Sequence, residues 1–569
     1  MPRLFVCGIA AALFAVTVLL FAGNARNEFS RLDDPHYLLG NVHIRGGLSP
    51  ASAGWALTAV GFESNWHPLT WMSHALDISV GRAFGLDVPD DPAVPIPYSG
   101  PFSSLCHWEN VILHGLNVAL LFGLLVLLTD TTRWSVIVAG FFALLWGLHP
   151  LRVEVIAWVA ERKELLSVFF MLLTLVSYLI PHPSSLIPLF FFALALMAKP
   201  VAVSLPVVLL AYEILIACRP FRTALARTAP LFLASAAVCV LTMMAQGDAL
   251  KMGGNFPFLQ RLTCAIEAPA VYLAQTFWPQ GLSIGYAMPT SMTGPHFAAG
   301  VVLLVAMAAL VAGAVSVWRR PADDVRAGWL RLSLFAIAWA YVGLVPMLGF
   351  VKVGYQPHSD RYTYWVGCGV AAVCALAMKR LAAIDWRRIG DAEWTRCWPR
   401  IRLGGQALAC AALVACGAAS VVRSADWRTS RALFSDAVRK AHLENDAALL
   451  ADSLLSEGHA GHAPAIEMAR DVLAARHSPF ARSLLAYVLA TGGASGRDMV
   501  EARQLAEYAL EDPDYGRHLA LAALAIADMR ENRFVTALAH MEEAVANGYE
   551  CSDETMARLR RKAGGEGTK

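Results

Sequence analysis

Apolar segments long enough to cross a lipid bilayer recur along this chain, and they limit the folds open to it. They lie at residues 4–22, 110–128, 134–149, 164–180, 184–198, 200–217, 228–245, 297–317, 328–349, 363–378 and 404–422. At about 20 residues for each crossing, they predict about eleven membrane spans. With 57% hydrophobic residues and a mean hydropathy of +0.50, the chain is too apolar for an ordinary soluble protein. We therefore predict a mainly α-helical, polytopic membrane domain.

The distribution of basic residues sets the predicted topology. Residues 4–22 are interpreted as an anchor helix, although the small residues at 22–25 also fit a cleaved signal peptide. Three later loops are basic, around Arg219 to Arg227, Arg319 to Arg331 and Lys379 to Arg402. Short basic loops stay in the cytoplasm. All three can do so only if the segment 261–279, whose apolar sequence is interrupted by polar residues and proline, does not cross the membrane. The N-terminus is then predicted inside, with the first long loop and the C-terminal region outside.

The predicted outer face combines paired carboxylates, cations and aromatic rings. The residues singled out there are Asp33, Asp34, Trp66, His67, His149, Glu154, Arg162, Lys163, Lys199, Asp360, Arg361 and Tyr362. Cations are disfavoured in short outer loops, so their presence indicates anionic partners. A carboxylate can take the proton of an attacking hydroxyl, and cations can stabilise a leaving phosphate. Such a face is suited to transferring a sugar from a lipid phosphate without a nucleotide.

A structural interpretation of the same residues stays open. Asp33-Asp34-Pro35 is also an ordinary turn sequence, because Asp bonds its own backbone and proline fixes φ. The cations would then pair locally, Arg162 and Lys163 with Glu161 and Glu164, and Arg361 with Asp360. The tryptophans at 66, 71, 158 and 278 would form an interfacial aromatic belt.

Several other chemistries lack their sequence signals. The net charge of +2 gives no electrostatic case for nucleic acid, and the 11 cysteines form no CxxC metal pair. A glycine-rich phosphate loop is absent from the sequence, and no histidine pair has the zinc-helix spacing. Few ionisable residues lie inside the apolar segments, Glu213 and His114 being the exceptions, which argues against an ion-driven transporter.

The composition changes abruptly after the last apolar segment. From Arg423 onward the chain is charged, rich in Ala and Leu, and helical in period. Three similar stretches begin at residues 465, 502 and 537, a spacing of about 36 residues, near the ~34 of a tetratricopeptide repeat. We predict a helix-pair solenoid whose concave surface suits an extended peptide. A folded cap without a ligand is the alternative.

The order of motifs resembles that of a known family. The motifs are Leu32-Asp33-Asp34-Pro35-His36-Tyr37, Asn65-Trp66-His67-Pro68-Leu69-Thr70-Trp71, His149-Pro150 to Lys163, Met197-Ala198-Lys199-Pro200, Thr276-Phe277-Trp278-Pro279 and Asp360-Arg361-Tyr362-Thr363-Tyr364. In this order they resemble bacterial relatives of the transmembrane and tetratricopeptide repeat-containing O-mannosyltransferases, which are glycosyltransferases of the C-type fold. The chain departs from that pattern at His107-Trp108-Glu109-Asn110 and in its short repeat array.

The resemblance implies a lipid-linked donor and a protein acceptor. The donor would be a polyprenyl phosphate sugar, most simply mannosyl phosphate, and the acceptor a Ser or Thr hydroxyl outside the cytoplasm, with a lipid or glycan acceptor as the open alternative. One inverting displacement would suffice, with the tandem acids Asp33 and Asp34 assigned to catalysis. The implied location is the inner membrane of a bacterium. No cofactor is firmly implied, and a divalent metal stays an open question.

The sequence thus predicts four parts and three groups of site residues. The parts are a first transmembrane helix at 1–22, an extracytoplasmic loop at 23–107, a polytopic core at 108–422 and a soluble helical domain at 423–569. The expected phosphate binders are Arg162, Lys163, Lys199 and Arg361. Sugar or head-group contacts are expected from Trp66, His67, His149, Glu154, Asp360 and Tyr362. Asp34 is favoured as the base because a residue before proline is biased to an extended backbone. The competing hypothesis is a membrane-anchored repeat scaffold that recruits envelope proteins.

Overall fold

The computed structural model divides the chain into two compact units, Met1–Thr429 and Ser430–Lys569. It describes residues 3–91, 94–180, 186–247, 257–287, 289, 292–317, 325–348, 356–383, 392–441, 444–492, 495–511, 516–549 and 551–566. These residues form helices, turns and one isolated bridge, with no strand among them. The predicted mainly α-helical class is confirmed.

The first unit is a bundle of helices of very different lengths. Its α-helices are α1 (Arg3–Phe21), α2 (Pro50–Thr58), α3 (Pro68–Ala83), α4 (Pro101–Leu128), α5 (Arg133–Gly147), α6 (Val153–Ala157), α7 (Arg162–Leu179), α8 (Leu186–Ala198), α9 (Leu205–Ala211), α10 (Phe221–Ala245), α11 (Phe258–Phe277), α12 (Pro295–Val317), α13 (Val325–Leu344), α14 (Thr363–Ala382) and α15 (Ala392–Asp426). Short 3-10 turns lie at Ala22–Arg26, Pro150–Arg152, Val159–Glu161, Pro200–Ser204, Val345–Met347 and Asp360–Tyr362, and π turns at Pro35–Leu39 and Tyr212–Ile216.

Seven helices in the described part of the chain are long and apolar enough to cross a membrane, or eight if one bent pair is a single span. They include Leu4–Arg26, Pro101–Leu128 and Leu403–Asp426. The predicted segments at 184–198 and 200–217 form shorter helices, because prolines interrupt the second of them. Residues 261–277 of the segment 261–279 lie in the continuous helix α11, which is not among the candidate spans. The fold is polytopic, and the count of about eleven spans stays a prediction.

The predicted outer loop at 23–107 contains helices that the sequence interpretation did not include. Helices α2, α3 and α4 each begin with a proline, whose missing N–H is not needed in the first helical turn. Ser49 also caps α2 by accepting a hydrogen bond from the Ser52 amide. Because α4 begins at Pro101, His107 lies inside a buried helix and not in a solvated loop.

A sharp bend after α5 returns the next segment into the bundle. Helices α5 and Pro150–Ala157 meet at 58°, at the His149-Pro150 step. Proline cannot continue a helix with full hydrogen bonding, so the chain turns there. Residues 151–164 that follow are buried throughout. This bend positions the acidic and basic side chains of α6 and α7 at one end of the bundle.

The opposite end of the bundle holds contacts of Arg219, Arg227 and Lys379, which belong to two of the basic loops predicted to share one membrane face. Glu213 pairs with Arg219 at 2.8 Å and with Arg227 at 3.1 Å. Lys379, in the last turn of α14, donates to the carbonyl of Thr129 after α4. Arg361 lies just before the first residue of α14, whereas Lys379 lies in its last turn. The contact of Lys379 and the charged residues near Arg361 are therefore at opposite ends of α14. Which end faces the cytoplasm stays a prediction.

The second unit is a stack of helices α16 (Ser430–Ala441), α17 (Glu444–Leu455), α18 (His459–Arg476), α19 (Pro479–Gly492), α20 (Gly496–Ala509), α21 (Arg517–Arg530), α22 (Phe534–Ala546) and α23 (Asp553–Glu566). The three similar stretches lie in the alternate helices α18, α20 and α22. Their first residues, Ala465, Ala502 and Ala537, are all buried. Each stretch therefore packs with the same face inward, as helix pairs in a solenoid do. The assignment to the tetratricopeptide class stays a prediction.

Candidate functional site

Acidic and basic side chains form a cluster at one end of the bundle, and Asp33 lies at its exposed edge. The other members of this cluster are Glu161, Lys163, Lys199 and Arg361. Its side chain is 44% exposed, and one carboxylate oxygen is 3.0 Å from Nζ of Lys163. It precedes the π turn Pro35–Leu39, which begins with a proline and is fixed by backbone bonds such as Tyr37 N–H to the Asp33 carbonyl. Asp33 thus combines an accessible carboxylate with an adjacent cation.

Asp34 is held differently, and its backbone corrects the sequence argument. It adopts a right-handed helical conformation (φ −58°, ψ −37°), so the expected extended backbone before Pro35 is wrong. One carboxylate oxygen accepts from the amide and hydroxyl of Ser30 at 2.7 and 3.0 Å, and the other from the amide of Ala160 at 2.8 Å. Burial raises the pKa of Asp34 to about 7, against the lowering effect of these hydrogen bonds. Asp34 joins two segments of the chain and is closed to solvent.

Glu161 is the acid on which three cations converge. Its Oε2 is 2.9 Å from Nζ of Lys199, and its Oε1 is 3.5 Å from both Nζ of Lys163 and Nε of Arg361. Burial alone would raise the pKa of Glu161, but the three cations outweigh it and lower the pKa to about 2. Glu161 is therefore a carboxylate at neutral pH. It joins residues from three separate parts of the sequence.

The cations do not all make the local pairs considered from the sequence. Lys163 does contact Glu161, as that interpretation expects. Arg361, however, contacts Glu154 at 2.5 Å, whereas Asp360 accepts a hydrogen bond from the Tyr286 hydroxyl at 2.5 Å. Contacts over such sequence distances arise only once the helices have packed.

Arg162 is directed away from this cluster. It contacts both oxygens of Asp77 at 2.7 and 2.8 Å and also donates to Glu109. Its Nε donates to Asn110 at 2.9 Å, and its side chain is fully buried. The structure therefore assigns this guanidinium to holding α3, α4 and α7 together. It does not bring Arg162 to the other predicted phosphate binders.

Aromatic rings surround the Lys163 side. The ammonium lies 4.3 Å from the ring centroid of Tyr37, and Trp158 has Lys163 and Arg361 at 5.6 and 5.3 Å from its ring. His67 is buried, with Nδ1 3.3 Å from the Tyr37 hydroxyl. Burial, with Lys163 and Lys199 nearby, lowers the pKa of His67 well below its ordinary value, so its ring is neutral.

The remaining predicted contacts lie at the margins or elsewhere. Tyr362 packs its ring 5.0 Å from the Arg361 guanidinium. Nε2 of His149 is 3.0 Å from the carbonyl oxygen of Thr276, and its side chain caps the turn at Pro150. The indole N–H of Trp66 donates to the Leu57 carbonyl at 3.0 Å. Trp71 and Trp158 are buried in protein, which corrects the proposed interfacial belt for those two rings.

The described residues contain no group of three His, Cys, Asp or Glu side chains placed to hold a metal ion. The acids of the cluster face cations instead, and they therefore form a mixed ionic network. Sequence reasoning missed Glu161 as its centre, and it also missed Tyr37 and Ser30. The signal available for Glu161 was its position beside Arg162 and Lys163 in one short charged run between apolar segments.

A comparison with known proteins relates part of the chain to one class of enzyme. A 182-residue segment is 29% identical to the protein O-mannosyl-transferase Tmtc2 of Drosophila melanogaster. The matched segment makes up 31% of this chain and 16% of Tmtc2. No protein-family model and no solved structure matches the chain. Together with the apolar helices, this similarity supports a membrane glycosyltransferase, and it does not extend to the donor or the acceptor.

Proposed function

We propose that this protein transfers a sugar, most simply mannose, from a polyprenyl phosphate to Ser or Thr hydroxyls of proteins outside the cytoplasm. The single observation that carries the proposal is the contact of Asp33, an accessible carboxylate, with Lys163 in a network that also contains Lys199 and Arg361. A base and several cations at one end of a membrane bundle suit a donor whose phosphate lies at the bilayer surface.

The reaction is a single displacement at the anomeric carbon. The acceptor oxygen forms a bond to that carbon while the bond from the carbon to the phosphate oxygen breaks. The acceptor proton passes to the Asp33 carboxylate, and the electron pair leaves with the polyprenyl phosphate. Positioned carboxylate bases contribute about 10²–10⁴-fold to such steps. Because the sugar is attacked opposite the leaving group, its configuration inverts.

The cations have a defined part in this scheme. Lys163, Lys199 and Arg361 are 8%, 12% and 14% exposed, so each reaches the surface from a largely buried position. Fixed cations stabilise charge that develops on a leaving phosphate without reorganising at the moment of reaction. Arg162 has no part in this scheme, because its side chain, unlike those of the three other cations, is fully buried between Asp77 and Glu109.

The helical unit at Ser430–Lys569 is proposed to bind the protein acceptor. A groove between its first three helices is lined by Val438, Leu454, Met468 and Val472. Arg439 and Asp471 stand at its polar edges. A groove with an apolar base and charged edges suits an extended peptide, and stacked helix pairs present such surfaces.

The proposed activity is tested by following labelled mannose from mannosyl polyprenyl phosphate into protein. Membranes that contain the full chain should transfer the label, and the Asp33→Asn chain should transfer at least about a hundredfold less. Asp90→Asn is the matched control, because Asp90 is an exposed acid beside Arg82 and lies outside the cluster. Equal incorporation by the Asp33→Asn chain and wild type would remove Asp33 as the base. No incorporation with any lipid-linked sugar would remove the transferase proposal.

A further inference from the structure

The three proposed phosphate-binding cations come from distant parts of the chain. Lys163 lies in the first turn of α7, Lys199 follows α8, and Arg361 lies in the turn before α14. Each also has an acid of its own: Asp33 for Lys163, Glu164 for Lys199 and Glu154 for Arg361. These separate pairs do not connect the cations to one another. The connection is made by Glu161.

Glu161 lies beneath the cations and not among the accessible groups. Its side chain is 2% exposed, whereas all three cations retain an exposed fraction of 8–14%. A ligand arriving from solvent therefore meets the cations, and Glu161 stays behind them. Each cation lies within 3.5 Å of a Glu161 oxygen, and without this carboxylate the three positive groups around it would repel one another.

We propose that Glu161 is a positioning residue that fixes Lys163, Lys199 and Arg361 as one receptor for the phosphate of a lipid-linked sugar. It does not touch the substrate itself. Its two oxygens divide the cations between them, Oε1 facing Lys163 and Arg361 and Oε2 facing Lys199. This inference rests on the proposed function and adds a residue whose role sequence reasoning had left as local charge pairing.

Replacing Glu161 by Gln should change the affinity for phosphate in the direction opposite to that expected from net charge alone. Replacing Glu161 by Gln makes the site more positive, and this change alone would strengthen binding of a phosphate. The amide, however, has one acceptor oxygen, so its NH₂ group must face at least one of the cations. If Glu161 positions the cations, Glu161→Gln weakens phosphate binding by roughly tenfold or more, as loss of a charged hydrogen bond does.

Binding of farnesyl phosphate to the full chain in detergent tests this inference, with farnesol as the ligand that lacks phosphate. The Glu161→Gln chain should bind farnesyl phosphate more weakly and farnesol unchanged. Glu161→Asp keeps the charge but shortens the side chain, so it should recover part of the affinity. Thermal unfolding of each variant accompanies the measurement, and the Asp variant decides the test if the Gln variant does not fold.

Glu213→Gln is the matched control. Glu213 is also a buried glutamate that pairs with two cations, Arg219 and Arg227, but it contacts none of the cluster residues named above. Its replacement should lower thermal stability and leave farnesyl phosphate binding at the wild-type level. Equal weakening in both variants would assign the effect to general destabilisation. Unchanged or tighter binding by Glu161→Gln would overturn the inference directly.

The test also separates this inference from the proposed function. In transfer assays Glu161→Gln should raise KM for the lipid-linked donor more than it lowers kcat, because the base Asp33 is intact. If wild type binds farnesyl phosphate through Glu161 but transfers no sugar, the positioning role stands and the transferase proposal fails. If wild type transfers sugar and Glu161→Gln keeps the wild-type KM, the transferase proposal stands and the positioning role fails.

Discussion

Replacing the two tandem aspartates one at a time should separate chemistry from stability. In Asp34→Asn one amide oxygen replaces two carboxylate oxygens that accept from Ser30 and from Ala160. The new NH₂ group must face either the Ser30 donors or the Ala160 amide. The donor that it faces is then buried without an acceptor, which costs about 1–3 kcal/mol. Asp33→Asn loses only a partly exposed ion pair with Lys163, worth about 0–1 kcal/mol.

The effect at Asp34 also depends on pH. Its folded pKa of about 7 lies above the ordinary 3.8, so between these values the folded state binds more protons than the unfolded state. Wild-type stability from this group is complete below about pH 4 and falls as pH rises toward 7, by about 4 kcal/mol in all. An asparagine does not titrate. The wild-type advantage over Asp34→Asn should therefore be larger at pH 5 than at pH 8.

Thermal unfolding in detergent, followed by tryptophan fluorescence from pH 5 to 8, and sugar transfer at pH 7 provide the two measurements. Asp33→Asn should unfold close to wild type but lose at least about a hundredfold in transfer rate. Asp34→Asn should unfold at a lower temperature at pH 5. The reasoning is refuted if Asp34→Asn matches wild type in stability at every pH while Asp33→Asn still transfers sugar.

Three further perturbations test the buried charges. Arg162→Met leaves Asp77 and Glu109 without their cation, so it should lower the free energy of unfolding by about 3–5 kcal/mol in chemical denaturation, and adding Asp77→Leu should recover part of this loss. Glu161 has a lowered pKa of about 2 against an ordinary 4.5, so its stabilisation, about 3 kcal/mol, is present above pH 4.5 and lost as pH falls toward 2; Glu161→Gln should flatten the unfolding curve in that window. In the second unit, Asp528 accepts hydrogen bonds from two arginines and contacts a histidine, so Asp528→Asn should cost about 1–3 kcal/mol, measured by hydrogen exchange of its helix in the full chain. An unchanged exchange rate there would contradict that assignment.

The helical class could be predicted from sequence because it depends on local composition. Apolar runs of about 20 residues must satisfy their backbone as helices in a bilayer. The repeated stretches at 465, 502 and 537 likewise predicted equivalent helices, since their apolar positions recur at helical spacing. By contrast, the helices within residues 23–107 were not predicted. The segment is polar in composition, and the proline that begins each of its three helices was not recognised as a helix start.

The candidate site was predicted in its members but not in its connections. The sequence by itself determined that Asp33, Lys163, Lys199 and Arg361 are charged groups placed next to apolar segments. Only the tertiary structure decided that Glu161 joins the three cations, that Arg162 turns away to Asp77, and that Asp34 is sealed beneath Ala160. The physical reason is that an ion pair depends on distances of a few ångströms, and residues more than a hundred positions apart acquire such distances only when helices pack.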